Sequence, residues 1–592
     1  MKDAQPNFRA TGLFLSGFQS IVEPTFIPLK PLTFLYGPNS SGKSSVIDAI
    51  GLFENIALRQ SDQIWEKVVR WQHRSINERG SWERLGEHQG KDGPFCCLRV
   101  GVEFTVPKNW AEYVDQEIND HKSDWRDQDH LATLAYLVGR TVHLDFGIGG
   151  SMDPFRLRIA VDHRPIFEAR AGQEDDGHVC WRDSQGRRSG DPGFDEEDDD
   201  YGDDGPIRIY FNHPFWQRDR GIANLVESSP SPTDVYGWLY IRKSDDYVTV
   251  FGVDFKRFDD GGLYRFHISE GQQPWKKEQS QEVDSKSGKV FPRKKRAVPK
   301  GSTIYDLEEP LEEFGLVCNA LLQIGAASLK RIHVKGDRQV LRPSETTFGK
   351  SKFSTKEDSD LGEACVMLAQ CLGVAETKNR KVAQNLGFAR LTDNSPDHRL
   401  VNEWLTLTMP SLRGYKLRSD VHMSVHLAKK RDPFRPVDDF VYRLYLVDSQ
   451  ARPFEFEDVG SGFSYVFPIL AALWAGNLSV VEQPELHLHP SAQCDIADVF
   501  LAAKNLGHAA LVESHSENLI LRVLRRIRET TNGTLSIKSH RTTPDDVAVL
   551  YFEPQTGGST KVKQLRISGD GDFIDRWPAG FFEERTKELF GE

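Results

Sequence analysis

Residues 32–50 read LTFLYGPNSSGKSSVIDAI. Leu32 to Tyr36 form an apolar, β-forming run that ends on a glycine, and from Lys43 onward the spacing of apolar residues is helical. Strand, glycine-rich turn and helix in that order are the setting in which G-x-x-x-x-G-K-[ST] binds phosphate, and Gly37-Pro-Asn-Ser-Ser-Gly42-Lys43-Ser44 matches it at every fixed position. Backbone amides of Gly37 to Gly42, with Asn39, Ser40 and Ser45 on the same loop and first turn, are expected to cradle the β-phosphate of ATP. Lys43 is expected to reach the β and γ oxygens, and Ser44 to ligate magnesium.

Far downstream, SVVEQPELHLHP (479–490) places Glu482 at the tip of an apolar strand, where it can hold the same magnesium through water. VGSGFS (459–464) puts Ser461 and Gly462 on a glycine turn at a helix N-terminus, which suits phosphate. AALVESH ends a further strand on His515, whose imidazole would point toward a γ-phosphate.

The segments that flank these motifs define the organisation. LFLSGF and FIPLKPLTFLYG read as strands, CCLRVGVEFTV, TVHLDFGIG and FRLRIAV as an antiparallel sheet, and LGEACVMLAQCLGVA and HRLVNEWLTLTM as helices. VYRLYLVDS, LSVVEQ and AALVESH, with helices between them, suggest a parallel sheet that completes the one begun at residue 32. The expected fold is therefore α/β, an ATP-binding-cassette-type core interrupted by a β-rich and helical insertion. Its parts are an N-terminal core lobe (1–92), a β-rich region (93–302), a helical subdomain (303–415) and a C-terminal core lobe (416–592). Within the β-rich region, the acidic stretch 173–205 and the polar stretch 276–301 offer too little apolar surface to offset ordering entropy and read as solvated loops. No heptad array or internal repeat is evident.

At 592 residues the chain exceeds one ordinary core. A net charge of -12 excludes nucleic-acid binding by bulk positive charge and leaves only local patches: 329–338, 428–435 and 524–528. Seven cysteines without a C-x-x-C signal neither a disulfide framework nor a zinc site. The N-terminal residues lack an apolar signal core, and YVFPILAALWAG (465–476) is too short to span a bilayer, so the expectation is a cytoplasmic protein without membrane contact. The acidic run 195–204 lacks the ligand spacing of a calcium loop, and GDGD (569–572), which resembles paired nuclease aspartates, has too little chain around it to be more than a turn.

Together, the phosphate loop, the VGSGFS turn, EQPELHLHP, ESHSENL and the terminal FIDRWPAGFF resemble the soluble branch of the ATP-binding-cassette superfamily that includes structural-maintenance-of-chromosomes and overcoming-lysogenization-defect ATPases, and bacterial defence-type AAA ATPases such as those of Septu systems. The resemblance covers roughly residues 10–60 and 440–585. It implies a head-to-tail dimer sandwiching two ATP molecules, the phosphate loop of one subunit facing Ser461 and Gly462 of the other. It also implies a separate effector, a nuclease or toxin, and it brings in Gln60 as the candidate for the Gln loop on the metal side, beside Ser44 and Glu482. The residue after the metal-binding acid is usually the glutamate that activates water. Here Gln483 stands there, and a glutamine orients a water but accepts no proton. Glu485 is then the nearest alternative base, His515 a stabiliser of the γ-phosphate, and slow hydrolysis the expectation. Two other readings compete: a DNA-repair or chromosome-associated ATPase that binds DNA directly, and an ATP-bound scaffold without turnover.

Overall fold

The computed structural model describes residues 9–58, 98–108, 136–148, 154–170, 207–210, 212–216, 317–318, 320–336, 399–409, 415–426, 435–459, 461–476 and 478–577, together with short strands between 235 and 292, residues 347–348, and residues 364, 365 and 368. The chain forms two compact units, one of residues Met1–Ile27 and Ala49–Ser328, the other of Pro28–Asp48 and Leu329–Glu592.

The first unit is built on a ten-stranded sheet. Its strands are β1 (Arg9–Ser16), β2 (Thr25–Pro28), β4 (Leu98–Thr105), β5 (Thr141–Ile148), β6 (Pro154–Val161), β7 (Arg164–Arg170), β8 (Ile207–Ile209), β9 (Val235–Tyr236), β10 (Leu239–Lys243) and β11 (Val248–Phe251), in the order β2-β1-β4-β5-β6-β7-β8-β11-β10-β9. The ladder is antiparallel from β1 to β9. Alternation of the sequence sets its faces: Val100, Val102 and Phe104 are buried, whereas Arg99 and Glu103 on the other face are only partly so. LFLSGF thus supplies a strand to this sheet through β1. Two hairpins complete the set, β12 (Val253–Arg257) with β13 (Tyr264–Ile268), and β14 (Gln281–Val283) with β15 (Val290–Pro292). The second of these corrects the expectation of a solvated loop over 276–301 in part: Gln281–Val283 pair antiparallel with Val290–Pro292. The acidic stretch 173–205 lies outside the described residues.

The second unit holds a six-stranded sheet ordered β16-β21-β22-β3-β23-β24. Here β3 is Leu32–Tyr36, β16 Arg331–Val334, β21 Leu478–Glu482, β22 Ala509–Glu513, β23 Val547–Pro554 and β24 Thr560–Leu565. All pairings are parallel except β23 with β24. Both β3 and β22 are buried at every position, as uninterrupted apolar runs require when helices cover both sheet faces. Four helices matter to the site: α1 (Lys43–Leu58), α2 (Ser461–Ala475), α3 (Pro490–Asn505) and α4 (Glu517–Thr531). The middle of α2 is apolar all round and accordingly buried, from Phe463 to Trp474.

VYRLYLVDS departs from expectation. It falls in β19 (Arg435–Val447), which pairs antiparallel with β18 (Lys416–His426), β17 (Thr347–Phe348) and β20 (Pro453–Phe454) in a separate sheet. A long hairpin partner close in sequence takes its edge before the parallel sheet can. The helical reading of VNEWL holds, with Arg399–Glu403 α-helical and Trp404–Thr408 continuing as a π-turn. Among the described residues, no helix is long and apolar enough to cross a membrane.

Candidate nucleotide site

Strand β3 delivers the chain into its loop through Gly37, at φ +148°, where a Cβ would lie 2.6 Å from the carbonyl oxygen of Phe552 on β23. Gly42 turns the loop into α1 at φ +92°, and Ser40 also adopts a positive φ of 60°. Asn39 and Ser40 are exposed at the rim, Ser45 is buried, and the buried Ser41 Oγ has no hydrogen-bond partner. The resulting concave turn of amides at a helix N-terminus fits a phosphate chain.

The Lys43 ammonium is buried and donates to the carbonyls of Gly37 (3.1 Å) and Pro38 (2.8 Å). Burial lowers its pKa, against the pull of the Glu513 carboxylate, which lies 3.7 Å away. Ser44 Oγ donates to the other oxygen of Glu513 at 3.2 Å. Strand order explains this meeting: β22 lies between β3 and β21, so its last residue, Glu513, sits in register beside Glu482 and beside Leu35. Two carboxylates on adjacent strand tips next to the loop serine form a hard-oxygen set that fits magnesium. Glu513 was missed by sequence reading because ESHSENL drew attention to its histidine. The signal that finds it is the strand register.

Glu482 is held by His333, whose Nε2 lies 2.7 Å from one oxygen, and by the Gly336 amide, 3.2 Å from the other. Burial pushes the Glu482 pKa up, but the bond and charge of His333, the Gly336 amide and Lys335 outweigh it, leaving the group below its ordinary value. Within 329–338, read as a basic patch, Arg331–Val334 form edge strand β16, and His333 and Gly336 clamp Glu482. For Glu513 the balance goes the other way. Burial raises its pKa, Lys43 opposes, and the charge of Glu482 adds to the rise.

Gln483 follows at φ +45°, its amide donating to the Glu513 carbonyl at 2.7 Å. Glu485 spends both carboxylate oxygens on the turn after β22, accepting from Ser514 Oγ (2.9 Å) and from the His515 amide (2.6 Å). This makes it a brace for His515. The His515 imidazole has a buried Nε2 without a partner, and burial followed by the nearby Lys43 charge lowers its pKa, so the ring is neutral at physiological pH. Ser461 opens α2, and around Gly462 the nearest atoms to an added Cβ, 3.6 Å away or more, leave room for close approach. Gln60 lies outside the described residues.

In the basic cluster 524–528 each arginine has an acidic partner. Arg526 forms a two-pronged pair with the buried Asp498 on α3 and also meets Glu529, Arg525 pairs with Glu529, and Arg528 with Asp572. Residues 428–434 lie outside the described set.

Residues 386–522 match the family described as "AAA domain, putative AbiEii toxin, Type IV TA system", and residues 543–590 match "Protein of unknown function (DUF3696)". Among curated proteins, none matches the chain. Solved structures with similarity include an SMC head bound to the C-terminal winged-helix domain of ScpA (11% identity, 94% of this chain and 98% of that one, TM-score 0.36). The SMC head domain from Thermotoga maritima is also similar (7% identity, 94% and 100%, TM-score 0.31). The AAA match contains β21, α3 and β22, and the parallel sheet joins these to the phosphate loop on β3. The segment 386–522 of this chain is thus similar to an AAA domain.

Proposed function

We propose that the protein is an ATP-occupied switch that hydrolyses slowly, and that Ser44, Glu482 and Glu513 together form its metal side. The observation that carries this is the contact of Glu513 with both Ser44 and Lys43, at the tip of the strand next to Glu482. Magnesium, when bound, would neutralise charge on the phosphates. Around it, the loop amides and Lys43 orient the triphosphate, Gln483 orients a water without taking its proton, and neutral His515 donates toward the γ-phosphate. A site with aligned groups but no strong base at the water favours occupancy over turnover. On this reading two copies close on ATP, with Ser461 and Gly462 of one capping the loop of the other, and the closed pair acts on a separate nuclease or toxin in bacterial anti-phage defence. The family description of residues 386–522, which names a toxin system, supports that context.

Single-turnover assays test the chemistry. Gln483→Glu is expected to speed hydrolysis by about tenfold or more, as a restored general base should. Glu513→Gln is expected to keep ATP binding and to raise the magnesium concentration needed for half-maximal rate. Fast wild-type hydrolysis that Gln483→Glu leaves unchanged refutes the slow-switch reading.

A further inference from the structure

A second constellation lies in the first unit, on the polar face of the antiparallel sheet. Glu103 on β4, His143 on β5 and His163 in the β6–β7 turn bring their donor atoms within 4.8 Å of one another, the one such trio of histidine, cysteine and acidic side chains among the described residues. Glu103 and His143 are cross-strand partners. His143 Nε2 is 3.3 Å from a Glu103 oxygen but out of line for a hydrogen bond, which leaves a buried ring nitrogen without a partner. The His163 ring stands over it, its centroid 4.7 Å from that of His143.

Two further details aim these groups. The link between β6 and β7 is only Asp162-His163, and both have positive φ, 48° and 66°, in a position that glycine usually fills. That turn carries the His163 imidazole back to the β4–β5 pair, while Asp162 is engaged by Arg140 and the Thr141 amide. Thr11 Oγ1 on β1 donates to the other Glu103 oxygen at 2.6 Å, the kind of outer support that orients a metal-binding carboxylate.

A cross-strand ion pair needs only His143 and Glu103; it does not account for a third donor brought in on a strained turn. We propose that Glu103, His143 and His163 bind one divalent transition-metal ion of the zinc class. Two imidazoles and a carboxylate are a donor set for such an ion, and the exposed side of His163 leaves the fourth position to water. Tetrahedral donors about zinc lie roughly 3.4 Å apart, so a small rotation of the exposed His163 closes the site. The ion would pin the β6–β7 turn to β4 and β5.

The full-length protein, in excess magnesium to saturate its hard-oxygen sites, is titrated with Zn2+ against a chromogenic chelator, and with Co2+ by visible absorption. One ion per chain is expected, with the absorption of a tetrahedral nitrogen-ligated Co2+ and a zinc-dependent rise in Tm. His163→Ala, at an exposed turn, and His143→Ala are each expected to lower affinity by about 100-fold and remove the Tm rise; Thr11→Val, a change of the supporting hydroxyl, by about tenfold. His163→Ala has unchanged circular dichroism and ATP binding if the site is separate from the nucleotide core. No zinc uptake at micromolar concentration by the wild type, or equal affinity in either histidine variant, overturns the proposal.

Discussion

In the proposed mechanism Glu513 stands on the metal side and Gln483 at the water, and titration separates the two. Because burial raises the Glu513 pKa, its carboxylate forms at a higher pH than an ordinary glutamate's. Magnesium, which needs the carboxylate, should therefore bind more weakly as pH falls, and Glu513→Gln should remove that dependence. Stability carries the opposite sign. A folded pKa above the unfolded one means that the group's contribution is present at low pH and lost as pH rises through the folded pKa. At about pH 8 the Glu513→Gln protein should thus melt no lower than wild type, and calorimetry across pH reads this directly. At Lys43 the expectation is simpler: Lys43→Ala removes ATP binding in an equilibrium titration and activity with it. Gly37→Ala should do nearly as much, since the added methyl meets the backbone of β23 at 2.6 Å and cannot be accommodated by a rotamer change.

Among the elements, α3 and α4 are locked together by charge as well as by apolar contact. Asp498 is almost fully buried and receives Arg526 and Arg522, with His540 also facing it. Removing one partner of such a set leaves buried charge uncompensated, so Asp498→Asn should cost roughly 3–5 kcal/mol in chemical denaturation. The same helices show what the sequence carried openly and what it hid. Strand β3, its loop and α1 were readable because local apolar pattern and glycine placement fix them. LSVVEQ and AALVESH were readable as buried strands for the same reason. VYRLYLVDS was not placed correctly, since an apolar strand does not declare which sheet it joins. RIHV looked like part of a charged surface, because its role as edge strand and the His333 clamp on Glu482 depend on a partner 149 residues away. Arg526 likewise looked like a surface charge until α3 supplied its aspartate.

For the whole molecule, the proposed ATP-closed pair makes the opening of α2 the decisive surface. Ser461→Arg should leave ATP binding by the single chain intact and abolish the ATP-dependent doubling of mass in light scattering. If the mass doubles regardless, the capping turn is not where two copies meet. The net charge of -12 and the acidic partners of Arg525, Arg526 and Arg528 both oppose phosphate binding, so salt-sensitive DNA binding is expected to be weak and insensitive to changes at Arg525.

The central place of β3 in the parallel sheet has a consequence for biosynthesis. Tyr36 reaches its hydrogen-bond partner Ser516 across 480 positions of chain. At cellular elongation rates that distance takes about 25 to 95 s to translate, during which the phosphate-binding segment leaves the ribosome with no neighbour to cover an unbroken apolar strand. The strand is thus made long before either of its sheet neighbours, and nascent-chain protection by chaperones should be heaviest over residues 32–50 until β22 and β23 emerge.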